Sequence, residues 1–361
     1  MQLVSVSAAA MAGGTGLAAA QSYDLIQAAR EEGTVTTIAL PHDWCGYGDI
    51  IQAFTDKYGI EVHETAPDAS SAAQLEAIRA SAENAGPDAP DVVDIGLSFA
   101  GPARDEGLLA PFKVGTWDTI PDEVKDAEGY WYGDYYGVIS FEVNTDVVKE
   151  LPEDWPDLLG EAYKGSVALS GDPRSSAQAA QSVYAAGLAA DEDAVGAAIG
   201  KAGMQFFADL NAAGNFVPEA GTLASLIEGK TPIVVRWDYV GFADRDSVEQ
   251  PKIEVVVPKS GVVARPYVQA ISAHAPHPNA ARLWMEYLYS DEGQLGWLKG
   301  GCHPIRFGDL VKYNKIPEAL AEGMPPADAY ADVVFPTIED QGAANQAIAD
   351  EWETMVGAGV N

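Results

Sequence analysis

The sequence predicts an α/β protein with two lobes. Three apolar, β-branched runs near residues 35–40, 60–65 and 91–96 alternate with helical stretches, an order that is typical of a parallel sheet. After Asn144 the same order of elements begins again, which indicates a second α/β unit inserted into the first. The 361 residues, 47% of them hydrophobic, suffice for two domains of roughly 150 residues each.

The first unit begins with an amphipathic helix over 23–32, which Gly33 ends. The run Val35–Leu40 reads as a buried strand, and Pro41 breaks it into a polar, aromatic loop. We expect the carboxyl ends of its strands, at His42-Asp43-Trp44 and Gly96-Leu97-Ser98, to face a ligand. The remaining elements predicted here are a helix over 49–58, a strand over 60–65, a helix from Ser70 or Ser71 to Ala82, and a strand over 91–96.

The stretch Trp131–Asn144 joins the two units. Its first half gathers aromatic residues around Asp134, and its second half, GVISF, is apolar and β-branched. This pattern predicts a ligand-facing loop that runs into a buried strand, the first connection between the lobes. We expect Tyr135 to face the cleft and Tyr136, which points the opposite way, to pack inside.

The second unit has the same kinds of elements. It is predicted to contain strands at 165–171, 232–236 and 253–258 and helices at about 172–190, 196–213 and 220–228. A return strand over 267–272 and helices over 279–288, 290–299 and 344–356 follow. We therefore assign 21–143 and 266–361 to lobe 1 and 144–265 to lobe 2.

The net charge of the protein and its first 20 residues indicate where it works. Lys and Arg number 21 against 54 Asp and Glu, and the net charge of −33 makes nucleic acid and direct membrane binding poor expectations. Residues 1–20 resemble a secretory signal peptide with an Ala18-Ala19-Ala20 cleavage site, although a basic n-region is missing. Either the start codon is misassigned or the match is accidental. Export to the periplasm or the exterior is the favoured interpretation.

Two cysteines, Cys45 and Cys302, are compatible with one disulfide in an oxidising compartment. Two separate buried thiols are the alternative.

Four stretches carry a family resemblance. They are YYGVISFEVNTDVV, LPEDWPDLLGEAYKGSVALSGDPRSS, IEGKTPIVVRWDY and AISAHAPHPNAARLWMEYLYSDEGQ. Together they resemble the extracellular solute-binding proteins of ABC importers, in the branch with ferric-ion, phosphonate, sugar-phosphate, thiamine and spermidine/putrescine binders. The resemblance spans about 34–306 and implies a two-lobed periplasmic-binding-protein-like fold of type II, with two crossover strands and an interlobe cleft. It also implies a membrane permease as partner. We further expect no cofactor and a monomer.

Acidic and aromatic residues at the predicted strand ends favour an amine. An indole face attracts a cation through its π electrons and a carboxylate adds charge. The family's polyamine binders carry a tryptophan in the loop where Trp237 lies. Each residue also has a plain structural explanation, such as helix capping or core packing. The candidates are Asp43, Trp44, Asp134, Tyr135, Asp172, Trp237 and Asp238.

Hydroxyl groups favour an anion instead. Ser175 and Ser176 precede a predicted helix, whose N-terminal amides bind carboxylate, phosphate or phosphonate groups, although plain capping explains them equally well. Ser98 and Tyr267 are further candidates by their position in the family. A ligand with both an amine and an acid, such as an aminophosphonate, satisfies both patterns.

Two alternatives stay open at this point. Ferric binders of the family use a histidine in the first loop, so His42, Asp238 and Tyr239 form a partial metal set, but the adjacent tyrosines of those binders are absent here. A secreted enzyme with Cys45 as nucleophile and His303 as base is the alternative of another class. Neither has the supporting residues that binding of an organic solute has.

Overall fold

The computed structural model describes residues 14–42, 44–67, 69–83, 86, 88–322 and 324–360, with side chains from Tyr23 onward. The elements of the first unit are α1 (Gly14–Glu32), β1 (Thr34–Ile38), α2 (Tyr47–Tyr58), β2 (Glu61–Thr65), α3 (Ser71–Glu83), β3 (Val92–Gly96), α4 (Leu97–Asp105), β4 (Leu109–Ala110) and β5 (Tyr132–Asn144). Those of the second unit are β6 (Val167–Leu169), α5 (Ala177–Ala190), α6 (Ala197–Ala213), α7 (Leu223–Ile227), β7 (Ile233–Trp237), α8 (Asp238–Ser247) and β8 (Ile253–Val256). The chain then forms β9 (Ala264–Ser272), α9 (Pro278–Leu288), α10 (Asp291–Lys299), β10 (His303–Pro304), α11 (Phe307–Lys312), α12 (Glu318–Ala321) and α13 (Ile338–Val356).

The strands of lobe 1 do not form the single parallel sheet that the sequence predicts. β1 and β2 pair in parallel, but β3 runs antiparallel to β9. Asp91 joins the two groups: its Oδ2 accepts a hydrogen bond from the Thr36 amide at 2.7 Å, and its own amide donates to the Thr36 carbonyl at 2.9 Å. The sequence pattern identifies buried strands without specifying their partners, because a buried run reads the same in either orientation.

The strand β5 connects the lobes. Its first half, Tyr132–Val138, pairs with β9, and its second half, Ile139–Asn144, pairs with β7 and β8. Every residue of β5 is buried. The register shifts between Gly133 and Tyr136, a β-bulge that bends the strand as it approaches the second lobe. β5 is therefore a crossover strand, and the chain returns through 257–263 into β9.

The two largest hydrophobic cores correspond to the two lobes. The first packs α2, α9 and α10 together, with Phe54, Trp284 and Trp297 buried. The second lies around β6, β7, α5 and α6 and contains Trp155 and Phe207. Two cores linked by β5 make this an α/β fold of two lobes, as the sequence predicts.

The C-terminal helix lies in the second core, so the assignment of all of 266–361 to lobe 1 needs correction. α13 packs against α6, and Trp352 is fully buried with its ring 5.7 Å from that of Phe207. Its start at Ile338, capped by the hydroxyl of Thr337, is also six residues earlier than predicted. Chain order alone does not specify which lobe a terminal amphipathic helix covers.

Several short elements lack a sequence signal. The helices α4, α8, α11 and α12 and the strands β4 and β10 are absent from the prediction, because short helices and two-residue strands carry little periodicity. Among the described residues, none of the helices is both long and apolar enough to cross a bilayer. The first 13 residues of the predicted signal peptide lie outside the described residues.

Candidate functional site

A cavity of about 360 Å³ lies between the lobes. Lobe 1 supplies its wall from the loop after β1, from α3 and α4 and from β5, while lobe 2 supplies the start of α5 and the end of β7. The start of β9, where the chain returns to lobe 1, completes the wall. The lining residues are Trp44, Ser71, Gly96, Phe99, Tyr135, Gly137, Ala177, Gln178, Trp237, Tyr239, Arg265, Pro266 and Tyr267.

Aromatic rings form most of this wall. The ring of Trp44 meets those of Tyr239 and Tyr267 edge-on, with centroids 5.9 and 6.0 Å apart, and Tyr135 stacks on Tyr267 at 5.5 Å. The indole N–H of Trp44 donates to the hydroxyl of Tyr135 at 2.5 Å. These contacts fix the rings relative to one another in the cavity wall, and an aromatic wall suits a cation or an apolar ligand surface.

The loop that carries Trp44 is fixed by a disulfide. Cys45 and Cys302 are bonded, with their Cα atoms 5.4 Å apart, and the bond ties the loop to the segment between α10 and β10. Gly46 has φ of 76°, and Gly300 lies directly on the backbone of Cys45, where a Cβ would overlap it. Because the sulfur of Cys45 is bonded, it is not a free thiol nucleophile.

The wall from lobe 2 depends on a close approach at Gly137. A Cβ at this position would lie 2.5 Å from Cε1 of Tyr239, so only glycine lets that ring rest on β5. Beside it, the Trp237 amide donates to Oε1 of Gln178 at 2.9 Å. The end of β7 and the start of α5 are thereby held together at the cavity.

Arg265 lies in the cavity wall, and its guanidinium group has no partner among the described residues. No hydrogen bond or ion pair to it occurs within the part of the chain that the structure describes, whereas Arg174, Arg236 and Arg306 all pair with carboxylates. Its charge acts on Tyr239 and Tyr267, where it opposes the larger effect of burial, which raises the pKa of both phenols. A guanidinium that pairs with no carboxylate is free to bind an anionic group.

The start of α5 adds amide donors near Arg265. Ala177 and Gln178 are the first residues of the helix and line the cavity, and their N–H groups have no carbonyl one turn earlier to bond to. The hydroxyl of Ser176 caps the helix by accepting from the Ala179 amide at 3.3 Å. Amides and guanidinium together form a wall suited to an anion.

A second chamber of about 430 Å³ extends into lobe 1. It shares Trp44, Tyr135 and Tyr267 with the interlobe cavity, and Asp94 lies in its wall. Oδ2 of Asp94 accepts from the hydroxyls of Tyr47 at 2.6 Å and Tyr135 at 3.3 Å. Burial raises the pKa of Asp94 to about 7.

Asp134 lies behind this chamber rather than in it. The side chain is fully buried, accepts from Nε2 of Gln269 at 3.1 Å, and receives the Tyr135 amide at 2.7 Å. Burial, followed by the nearby charge of Asp94, raises the pKa of Asp134 well above its usual value. The two carboxyl groups form a buried acidic pair at the base of the aromatic wall.

The family profile of bacterial extracellular solute-binding proteins matches residues 88–319, well over half of the chain. The chain belongs to this family. The resemblance found in the sequence is thus confirmed. No curated protein matches the sequence.

Solved structures of solute-binding proteins share the fold. An extracellular solute-binding protein from Bordetella parapertussis superimposes with a TM-score of 0.73 at 15% identity, covering 90% of this chain and 99% of its own. The spermidine/putrescine-binding protein PotD of Streptococcus pneumoniae gives 0.66 at 16%, covering 90% and 99%. The ferric-binding protein A of Mannheimia haemolytica gives 0.65 at 17%, covering 89% and 98%. These likenesses confirm the two-lobed α/β fold.

The structure brings four of the predicted ligand residues of this solute-binding protein together. Trp44, Tyr135, Trp237 and Tyr267 meet in the cavity wall. Ser98 lines a smaller neighbouring cavity of about 170 Å³ beside Arg265. Asp43 lies outside the described residues.

The other predicted polar residues have partners of their own. Asp172 forms an ion pair with Arg174 at 2.6 Å, which lowers the pKa of the carboxyl. The Ser175 hydroxyl donates to the Asp172 carbonyl at 3.5 Å, a long contact within the same turn. Asp172, Ser175 and Ser176 are absent from the cavity lining, so they shape the approach to α5 instead.

Asp238 also points away from the cavity. Its Oδ2 lies 2.8 Å from Nε2 of His303, both side chains are fully buried, and its Oδ1 accepts from the Val138 amide at 3.0 Å. The hydroxyl of Tyr330 donates to Oδ2 at 3.3 Å. The carboxylate therefore connects β5, β10 and the start of α8 behind the cleft.

The partial metal set is not assembled. His42 is exposed and pairs with Glu64 at 2.7 Å, Asp238 pairs with His303, and Tyr239 rests on Gly137. Within the described ranges, no three His, Cys, Asp or Glu side chains cluster in a way that would hold a metal ion.

Sequence reasoning missed Asp94, Phe99, Gln178 and Arg265. Asp94 had a usable signal, because a carboxylate inside the five-residue buried strand Val92–Gly96 needs a reason to be there. Arg265 had a weaker one, a cation at the start of the apolar strand β9. Phe99 and Gln178 lie on helix starts whose relation to the cleft only the fold reveals.

Proposed function

We propose that this solute-binding protein is the periplasmic or extracellular component of an ABC importer and captures a small zwitterionic organic ligand between its lobes. The observation that carries the proposal is the pairing, in one cavity, of an aromatic wall with the unpartnered guanidinium of Arg265. The aromatic wall suits an ammonium group and Arg265 suits a carboxylate, phosphate or phosphonate. A cavity of about 360 Å³ takes one small molecule.

The amine is supported by rings that both lobes contribute. Trp44 comes from lobe 1 and Trp237 from lobe 2, so a ligand in the cavity meets an indole ring from each lobe, and an ammonium group beside either ring gains cation–π attraction. Such a contact is worth roughly 0.5–2 kcal/mol for each ring, depending on desolvation. The lobe-spanning position also makes ring contacts a reason for the lobes to close.

The anion is supported by Arg265 and by the start of α5. A polyamine would bring only positive charge to this wall, at the cost of repulsion from the guanidinium. A zwitterion binds Arg265 with its acidic group, and the rest of the molecule contacts the aromatic rings. This favours amino acids, amino-phosphonates and similar molecules over spermidine or putrescine.

Transport follows from closure and not from chemistry on the ligand. Contacts made to both lobes at once exist only in the closed form, so the ligand shifts the population toward that form. The membrane permease then recognises the closed protein. The ligand leaves unchanged, and Cys45, bonded to Cys302, takes no part in a reaction.

A thermal-shift panel tests the proposal. It contains 2-aminoethylphosphonate, 4-aminobutanoate, putrescine, glucose 6-phosphate and ferric citrate. A ligand at 100 times its Kd stabilises the folded state by about 2.7 kcal/mol. We expect the largest shift from a zwitterion, while a shift from putrescine or ferric citrate alone would contradict the proposal.

A pair of arginine variants locates the anionic end. Arg265→Gln should lower the affinity for the best zwitterion at least tenfold, because it removes the only charge facing that group in the described cavity wall. Arg282→Gln is the matched control and should bind as the wild type does, because Arg282 is exposed on α9 and, among the described residues, its guanidinium reaches Asn279 alone, at 3.4 Å. If both variants bound the zwitterion with the same affinity, the anionic group of the ligand would not bind at Arg265.

A further inference from the structure

The chamber in lobe 1 is an extension of the interlobe cavity that the zwitterion proposal leaves unassigned. The two spaces share Trp44, Ser71, Phe99, Tyr135 and Tyr267, so a ligand between the lobes can reach into lobe 1 past the aromatic rings. Arg265 lines the interlobe cavity and is absent from the chamber lining. The two ends of the combined space therefore differ in charge.

Asp94 is the acidic group at the inner end. Its side chain is 5% exposed, it lines the chamber, and its Oδ1 has no hydrogen-bond partner. A buried carboxylate oxygen without a partner costs free energy, roughly 1–3 kcal/mol. An unpartnered oxygen on a residue that lines a chamber indicates a donor that arrives from outside the chain.

The described surroundings of Asp94 hold no cation that balances its charge. The titratable groups that face Asp94 are Tyr47 on α2, Asp134 and Tyr135 on β5, and the more distant Tyr267 on β9 and Tyr289 after α9, all acidic or neutral. The amides of Gln74 and Gln269 complete the surroundings as neutral groups, the first bonding to the Asp94 backbone and the second to Asp134. Among the described residues, no Lys, Arg or His contacts the acidic pair.

We infer that Asp94 is the counter-ion for the ammonium group of the ligand, which lies with its amine in the lobe 1 chamber and its anionic group at Arg265. The inference rests on the proposed zwitterion function and adds the direction of the ligand. Tyr47 and Tyr135 donate to Oδ2 and leave Oδ1 for the ammonium, while the rings of Trp44 and Tyr135 flank its path. Asp94 is thus a specificity-determining residue for amines.

Pairs of ligands that differ only in the amine measure how much the ammonium group contributes to affinity. 2-Aminoethylphosphonate is compared with propylphosphonate, and 4-aminobutanoate with pentanoate, because each pair has the same acidic group and length but exchanges NH₃⁺ for CH₃. In the wild type we expect at least a tenfold preference for the aminated member, measured by calorimetry. In Asp94→Asn the preference should fall below threefold while the affinity for the methyl member is kept.

Asp134→Asn is the control variant. It removes the other carboxyl of the pair, which faces Gln269 and not the chamber, so the amine preference should persist. A preference that survives in Asp94→Asn would overturn the inference and leave the proposed function standing. Failure of the wild type to bind either pair would overturn the proposed function, and the inference with it.

The pH dependence of wild-type binding covers the case in which Asp94→Asn does not fold. The pKa of Asp94 is raised to about 7 by burial, so the carboxyl is neutral below that pH and gives an ammonium group no counter-charge. The preference for 4-aminobutanoate over pentanoate should decline as pH falls from 8 to 5.5. A constant preference over this range would contradict the role of Asp94.

Discussion

At the scale of single residues, the same residue type has opposite roles on the two sides of the cleft. Asp94 has an unpartnered oxygen in a chamber wall, whereas both oxygens of Asp238 are occupied, by amides on one side and by His303 and Tyr330 on the other. A sequence shows only that both are carboxylates beside buried strands. The distinction depends on which partners the fold supplies, and it leads to different consequences of mutation.

Asp238→Asn should weaken folding and leave ligand affinity unchanged. The amide keeps an acceptor for the Val138 and Tyr239 amides but loses the charge that faces His303, which lies fully buried. We expect the free energy of unfolding to fall by about 1–3 kcal/mol, as for other buried hydrogen bonds to charged groups. Urea denaturation measures the loss, and calorimetry with the best-binding zwitterion measures the affinity.

Asp88→Asn is the matched control for this variant. Asp88 also pairs with a histidine, His63 at 3.0 Å, but both side chains are exposed. An exposed ion pair contributes about 0–1 kcal/mol, so the change in stability should be small. A tenfold loss of affinity in Asp238→Asn at unchanged stability would instead make Asp238 a ligand residue, as the sequence predicted.

At the scale of elements, close packing in lobe 2 depends on glycines in facing helices. A Cβ at Gly203 of α6 would overlap the Val183 carbonyl of α5, and a Cβ at Gly187 of α5 would overlap the Ile199 carbonyl of α6. The two contacts are reciprocal, because each glycine lies four residues from the carbonyl that the other meets. The helix backbones therefore touch without intervening side chains.

Gly203→Ala should destabilise the protein, although alanine favours helices. The added methyl group forces α5 and α6 apart, and overpacking of this kind costs about 1–3 kcal/mol. Gly342→Ala in α13 is the control, because a Cβ there meets nothing within 4 Å. It should raise stability by about 0.5–1 kcal/mol through helix propensity alone. Thermal melting of both variants checks the opposite signs, and a stabilised Gly203→Ala would show that the helices can separate freely.

Most long elements could be predicted from the sequence, and their partners could not. The helices α2, α6, α9 and α10 lie within about two residues of their predicted bounds, since α2, α6 and α10 have a Ser or Gly at an end and α9 begins with a Pro. The pairing of β3 with β9 and the packing of α13 on α6 depend on contacts between distant parts of the chain. The aromatic half of the site was visible at strand ends, whereas Arg265 became a candidate only when its lack of a partner was known.

At the scale of the whole molecule, acidic residues set the response of stability to pH. The net charge is −33, and burial raises the pKa of several carboxyl groups far above their unfolded values near 4. Glu142, fully buried on β5, has a pKa of about 8, because burial outweighs the attraction of Arg236. Arg236 is shared with Asp244, so one guanidinium serves two carboxyl groups.

The sign of the pH effect follows from these shifts. A carboxyl group with a raised pKa keeps its proton in the folded state while the unfolded state releases it above about pH 4. Its contribution to stability is therefore complete below pH 4 and is lost as pH rises to about 8. Asp126 and Asp172, whose pKa values are lowered, act in the opposite sense, and their contribution is lost only as pH falls below about 4. We expect the free energy of unfolding to be greater at pH 5 than at pH 8.5.

Glu142→Gln should remove part of this pH dependence. At pH 5 the wild-type side chain is protonated, so the amide imitates it and stability should match within about 0.5 kcal/mol. At pH 8.5 the variant escapes the cost of a buried charge and should be more stable by about 1–2 kcal/mol, since each pKa unit corresponds to about 1.4 kcal/mol and relaxation reduces the total. Arg236 keeps its bonds to Asp244 at 2.5 Å and to the Gly221 carbonyl at 2.9 Å.

Glu249→Gln, which removes an exposed charge, is the control and should leave the pH dependence of stability as it is in the wild type. Equal losses of stability at both pH values in Glu142→Gln would show that Glu142 is ionised and that Arg236 requires it.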